Sequence, residues 1–388
     1  MRICLFDGPN RSDLLPLVYT RPVAELLIGS KTLANRWSDA LDAEVVVETA
    51  AYLQPETPSF DLAVMAGCIP NAELLYAIKN LRNGQKIMHK GNMIAFCGAS
   101  SSKHKVLTTF KIIELDTEVS IIQYPWDLFP KNAEVLISDA AFFSKTHNNK
   151  LNKTNQHHGK YPLLVGVNVT SFAVIYNTQD GPIIIDDDVT IMEGALLRGP
   201  LYIGKNTVVK MGAKIYGGTS LGPYCKVGGE LNNVVMIGNS NKGHDGFLGN
   251  AVIGEWCNLA AGTDASNLKN DYGNTRAWNY TQQKFISTGL QFCGLIMGDH
   301  SKTAIQTPLN TATVVGVGCS IFSIGFPRTF IPSFSRGGSQ CMIENNLNNM
   351  MDTATVVMSR RGKEMQAADK AVLTHLFAAT KELRRYAG

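Results

Sequence analysis

The 388-residue chain has no CxxC pair among its eight cysteines, no block of like charge, and no charged head followed by an apolar core at its N-terminus. Scattered cysteines and a missing leader predict a reduced, cytoplasmic protein. Charge is scarce, at 18% of residues, and its 36 basic and 32 acidic side chains are interleaved. No basic stripe exists to neutralise a nucleic-acid backbone, so nucleic acid is excluded as a partner, whereas phosphate-bearing small molecules are not. The one long uncharged run, residues 303–327, carries Gln306, Asn310, threonines and glycines, so no membrane span is expected. What remains is a globular chain, 45% hydrophobic and long enough for two domains with full cores.

From Ile185 onward aliphatic residues fall every six positions: Ile185, Ile191, Leu197, Ile203, Val209, Ile215, Leu221 and Val227. At ordinary composition such a run arises by chance about once in a thousand chains of this length, and neither a helix period of 3.6 nor a strand period of 2 produces it. Four positions further on stand mostly small or β-branched residues: Val189, Ala195, Leu201, Thr207, Ala213, Thr219, Cys225 and Leu231. This is the pattern of a parallel β-helix of hexapeptide repeats, in which the aliphatic residue points into a narrow triangular interior and three hexapeptides make one coil. Cys225 and Cys319 fall at the small inward position and read as core residues.

The register breaks at Asn233, resumes near Ile253 and Leu259, is interrupted by the polar segment 264–283, and returns at Met297, Leu309, Val315 and Ile321. Interruptions in a solenoid are surface loops, which commonly form binding faces. His244, between Gly243 and Asp245, stands beside these breaks. Beyond Gly338, residues 350–386 show apolar positions at helical spacing, expected as a helix or helix pair that caps the open end of the solenoid.

The first 175 residues lack the hexapeptide register. Short apolar strands ("RICLF", "AEVVVE", "LAVMAG") alternate with stretches read as helical ("NAELLYAIKNLRNG", "KVLTTFKIIELDTEV"), which predicts an α/β domain with a mainly parallel sheet. Its opening, "LFDGPNRSDLLPLVYTRPVAELL", runs from a first strand into the loop where α/β sheets bind ligands. The expected domains are 1–175, 176–336 and a helical segment over 337–388.

The segment "GHDGFLGNAVIGEWCNLAAGT" and the asparagines of "DASNLKNDYG", in a chain with an α/β domain ahead of a hexapeptide β-helix, resemble the bifunctional bacterial enzymes that make UDP-N-acetylglucosamine. Those enzymes join an N-acetylglucosamine-1-phosphate uridylyltransferase to a glucosamine-1-phosphate N-acetyltransferase; this chain is similar to a branch with a shortened, divergent N-terminal domain. The resemblance implies a nucleotidyltransferase-like α/β domain, a left-handed β-helix acyltransferase domain, acetyl-CoA as acyl donor, a sugar phosphate as acceptor, UTP and Mg2+ at the N-terminal domain, and a homotrimer. It also implies that His244 is the base that deprotonates the acceptor amine, a task suited to an imidazole titrating near neutrality. Asn258 and Asn267 match asparagines that hold the amino sugar, while Lys242, Lys269 and Arg276 are candidates for its phosphate. Phe247 departs from the pattern, standing where the family has a tyrosine that touches that phosphate.

At the N-terminal domain the resemblance implies that Arg11 and Arg21 balance a triphosphate. "DGPN" replaces the glycine-rich loop, and Cys68 stands in the place of the magnesium-binding aspartate. A thiol is a poor ligand for a hard cation, which leaves Asp7 as the substitute metal ligand. Three alternatives stand beside full bifunctionality. One domain is inactive; the chain is a non-catalytic scaffold that binds nucleotide sugars; or the solenoid is a zinc-dependent carbonic anhydrase, which needs three histidines where only His244 and His300 lie in the repeats.

Overall fold

The computed structural model describes residues 2–56, 59–98, 107–322 and 324–385. The chain forms two compact units: Met1–Leu14 with Thr20–Leu26 and Lys31–Tyr124, and Leu15–Tyr19 with Leu27–Ser30 and Pro125–Gly388.

The first unit is built on a six-stranded sheet in the spatial order Glu44–Glu48, Arg2–Phe6, Leu62–Met65, Asn92–Cys97, Gln85–His89, Lys111–Glu114. The three expected strands are present and parallel. Asn92–Cys97 alone runs antiparallel to both of its neighbours, so the sheet is mainly parallel, as expected, with one reversed strand. The cause is local: Lys90 and Gly91 both adopt positive φ, 47° and 80°, the backbone of a two-residue hairpin turn. The stretch expected as a helix over 105–119 is instead a 3-10 turn at Leu107–Thr109 and the edge strand Lys111–Glu114, which pairs with Gln85–His89. Lys105 and Val106 lie outside the described residues. Pairing at a sheet edge outweighs the helical spacing of its few apolar positions. Helices α1 (Leu33–Leu41) and α2 (Ala72–Lys79) start at Thr32 and Asn71, whose side chains accept from the backbone N–H three residues on.

The second unit is a left-handed parallel β-helix. Every residue of the six-residue aliphatic register is at most 2% exposed, and so is every residue four positions further on. Short strands stack in three faces. The third face is a ten-stranded sheet in which Thr190–Ile191, Val208–Val209, Lys226–Val227, Asn241–Lys242 and Asn258–Leu259 follow one another; its last strand, Met342–Glu344, runs antiparallel and closes the edge. Coils begin at Gln156, ahead of the aliphatic register, because Val165, Val174 and Tyr176 fill the interior there, while Leu164 faces outward against α3. The helix α3 (Leu128–Phe143) packs along the coils, where Asn132 donates to the Gly218 carbonyl at 2.8 Å and to Ser220 Oγ at 2.9 Å.

The break in register at Asn233 is a shortened coil. Val209 pairs with Val227, 18 residues on, but Val227 pairs with Lys242, only 15 residues on. One corner collapses onto Asn233, which takes a φ of 56° inside the continuous strand Glu230–Gly238. At the far end, α4 (Leu347–Ser359) and α5 (Ala367–Ala379) form the expected helix pair; Tyr386 lies outside the described residues. Arg384 fixes the pair to the last coil. It lies over the Phe334 and Phe377 rings and bonds Glu344, Thr380 and the Phe377 carbonyl.

Candidate functional site

In the solenoid, the corner that joins the third face to the first carries residues 243–246. His244 is exposed, and its ring makes no hydrogen bond among the described residues. The backbone beneath it is fixed. Lys242 Nζ donates to the His244 carbonyl at 2.7 Å, Gly262 N donates to the Asp245 carbonyl at 3.0 Å, and Glu230 N donates to the Gly246 carbonyl at 3.1 Å. Gly246 has a φ of 126°, and a Cβ there would come within 2.3 Å of the Thr263 carbonyl, so the corner admits no other residue without moving. The result is an exposed imidazole on a rigid turn.

Lys242 is not a surface cation. The shortened coil carries it into the inward column between Val227 and Leu259, where it has no solvent exposure. Burial depresses its ammonium pKa, partly opposed by Asp264 and Asp245. The structure thus places this candidate phosphate ligand in the core, where it holds the turn. Lys269 pairs with Asp271 at 2.9 Å, and Arg276 donates to the Phe285 carbonyl at 2.7 Å within the hairpin Arg276–Asn279/Lys284–Ser287. That hairpin folds back on its own chain, with Trp278 stacked on Phe330 at 4.2 Å.

The two candidate asparagines lie on different parts of a coil. Asn258 stacks on Asn241 in the third face and accepts from its Nδ2 at 3.2 Å. Asn267 lies at the corner between the first and second faces, where its Nδ2 donates to Asn250 Oδ1 at 2.7 Å. Asn250 in turn donates to Asn233 at 3.1 Å, with the Asn233 amide set so that both its ends are satisfied, forming a ladder across three coils. Asn258 therefore lies on the face that leads into the His244 corner, and Asn267 lies across the width of the first face.

The sequence reading missed a basic turn after α4. Arg361 Nη2 donates to Asn241 Oδ1 at 2.8 Å, which ties residues 360–363 to the strand leading into His244. The run "RRGK" was legible as a charge cluster, but nothing local in it says which coil it meets.

In the first unit, Asp7 ends the first strand at 7% side-chain exposure, and both its oxygens are committed. Oδ1 accepts from Val23 N at 2.8 Å; Oδ2 accepts from Arg11 Nε at 2.8 Å and from Thr49 Oγ1. Burial raises its pKa, against the effect of these donors. Arg11 also reaches the Tyr52 hydroxyl at 3.0 Å, and Arg21 is buried. Cys68 has no exposure; burial pushes its thiol pKa up, and its carbonyl accepts from Trp37 Nε1 at 2.9 Å. A saturated carboxylate and a neutral buried thiol do not fit Mg2+, which needs several free oxygen ligands. Asp7 instead anchors the arginine loop. Among the described residues, the group with metal-ligand geometry is His147, Asp186 and Asp187, in the second unit.

Residues 3–148 match the family described as sugar nucleotidyl transferase. The match spans less than half of the chain, so it marks a similarity of that segment. No curated protein matches the chain. Among solved structures, similarity is found to the polySia-specific acetyltransferase NeuO, at 14% identity over 50% of this chain and 85% of that one, TM-score 0.29. The Arabidopsis UDP-N-acetylglucosamine acyltransferase is 12% identical over 61% of this chain and 99% of its own, TM-score 0.31. The Campylobacter jejuni UDP-N-acetylglucosamine acyltransferase is 16% identical over 62% and 86%, TM-score 0.27. No helix among the described residues is long and apolar enough to cross a membrane.

Proposed function

We propose that the solenoid transfers an acetyl group from acetyl-CoA to the amino group of a sugar 1-phosphate, with His244 as general base and glucosamine 1-phosphate as the first acceptor to test. The observation that carries this reading is the exposed imidazole on a corner whose backbone is pinned from below by a buried ammonium. Amino sugars are largely protonated at neutral pH, and only the free amine attacks a thioester. His244 takes the proton that the nitrogen sheds as the new C–N bond forms, and the C–S bond breaks to release the coenzyme thiolate. Asn258 offers donor and acceptor together to a sugar hydroxyl or amine. Phe247 donates no hydrogen bond, so the phosphate has to be held by other groups.

The N-terminal unit is read as a relative of sugar nucleotidyl transferases that binds nucleotide without turning it over, because Asp7 and Cys68 do not supply a magnesium site. Incubating the purified protein with acetyl-CoA and a panel of amino-sugar 1-phosphates, while following free thiol, tests the acyl-transfer reading directly. His244→Ala should lower kcat by about 10²–10⁴-fold at unchanged Tm. A variant that keeps more than about a tenth of wild-type kcat contradicts the general-base role.

A further inference from the structure

The turn after α4 brings Arg360, Arg361 and Lys363 to the third face of the solenoid, against the single acid Glu364, which pairs with none of them. Arg361 bonds Asn241, and Lys363 Nζ lies 5.5 Å from the centre of the Trp256 ring and 5.9 Å from that of Tyr224 at the neighbouring corner. Lys226 stacks directly beneath Asn241. Lys210 lies one coil lower, with its Cβ 3.1 Å from where a Gly228 side chain would begin. None of Lys210, Lys226, Arg360, Arg361 or Lys363 forms a salt bridge with a carboxylate among the described residues.

Partial burial, followed by the charges of Arg361, Lys210 and Arg360, depresses the Lys226 ammonium; burial and Arg360 likewise depress Arg361. Like charges gathered in a half-buried place raise the free energy of the empty protein, and a multivalent anion relieves that cost. Single surface cations are ordinary; several without counter-charges, one fixed by a bond to a strand residue three positions before His244, are a built arrangement.

We infer that Lys210, Lys226 and Arg361, with Arg360 at the rim, form a binding site for a phosphate or diphosphate ester beside His244. The guanidinium of Arg361 keeps further N–H donors beyond the one given to Asn241, and guanidinium geometry suits phosphate oxygens. The site supplies the anion recognition that Phe247 and the buried Lys242 do not. Its use in catalysis rests on the acyl-transfer reading, but binding is measurable without turnover. Two ligands carry this chemistry: the sugar 1-phosphate acceptor and the phosphorylated coenzyme.

Calorimetric titration of the full-length protein with inorganic pyrophosphate, glucosamine 1-phosphate and acetyl-CoA is the test, repeated with Arg361→Gln and Lys226→Gln. Pyrophosphate binding should weaken at least about tenfold in each variant, the loss of one charge-assisted contact, and should weaken in wild type as salt rises from 50 to 200 mM, by screening of order one Debye length. The exposed-side variant Lys210→Gln serves if either of the others melts early. Selective loss of glucosamine 1-phosphate affinity assigns the site to the acceptor; selective loss of acetyl-CoA affinity assigns it to the coenzyme. No pyrophosphate binding by wild type, or affinities within about twofold in folded variants, overturns the inference. Anion binding that survives alongside absent acyl transfer overturns the catalytic reading alone.

Discussion

His244 and Cys68 stand in opposite surroundings, and their substitutions should behave in opposite ways. His244 is exposed on a fixed turn, so its removal should touch rate and leave stability alone. Cys68 is fully enclosed, and its backbone carbonyl is held by Trp37. Sequence comparison suggests that an acid at this position would rebuild a magnesium site; the structure argues otherwise. Cys68→Asp would place an unpaired carboxylate in a fully enclosed position, at a cost of roughly 3–5 kcal/mol. The expected result is a Tm lowered by many degrees and not restored by millimolar Mg2+. A Mg2+-dependent rise in the Tm of that variant would show that the pocket opens to a metal after all.

At the scale of the element, the shortened coil decides what the sequence could and could not reveal. The aliphatic column from Ile185 to Val227 was legible because each residue repeats a single inward geometry six positions apart. Between Val227 and Lys242 the coil loses three residues, the phase slips, and a lysine that reads as a surface cation becomes a core residue. No local property of Lys242 announces this; only the count of residues per turn does. The strand Lys111–Glu114 failed in a related way, since its partner Gln85–His89 lies far away in sequence. The basic turn at 360–363 was visible, but its destination depends on how two helices return along the solenoid.

Lys242 gives the coil a pH signature. Its ammonium is depressed in the folded protein, so the unfolded chain binds that proton more tightly, and this group adds stability as pH climbs towards the ordinary lysine value of 10.5. Buried thiols act in the opposite sense: Cys225 and Cys257 are pushed up to about 12 from 9.0, so stability from them falls as pH rises above 9. The difference between wild type and Lys242→Met isolates the lysine. The variant should be as stable as wild type or more so at pH 7, with the gap shrinking in the variant's disfavour as pH approaches 10.5. Denaturant unfolding curves that stay parallel across this range would remove the buried-charge account.

At the scale of the whole molecule, the question is why one chain separates the candidate groups. His244 lies on the corner between the third and first faces, and Asn267 on the corner between the first and second. Asn267 bonds Asn250, which stands six residue steps beyond His244, so up to about 20 Å of extended chain crosses the first face between the two edges. The first face between those edges presents outward apolar side chains, with Ile175 37%, Leu196 45% and Tyr216 41% exposed. Apolar side chains gathered on one sheet face suit a contact between copies. We propose that three copies close a ring with this face turned inward, a heterologous contact in which the His244 edge of one copy meets the Asn267 edge of the next and completes the site. Sedimentation at micromolar concentration should then show a trimer. Leu196→Glu, three coils below the His244 corner and away from every candidate ligand, should shift the protein towards monomer and lower acetyl transfer in parallel, with the monomer keeping its fold by circular dichroism. A wild type that sediments as a monomer, or a monomeric variant with full acetyl transfer, would show that the site is complete within one chain and that Asn267 belongs only to the asparagine ladder.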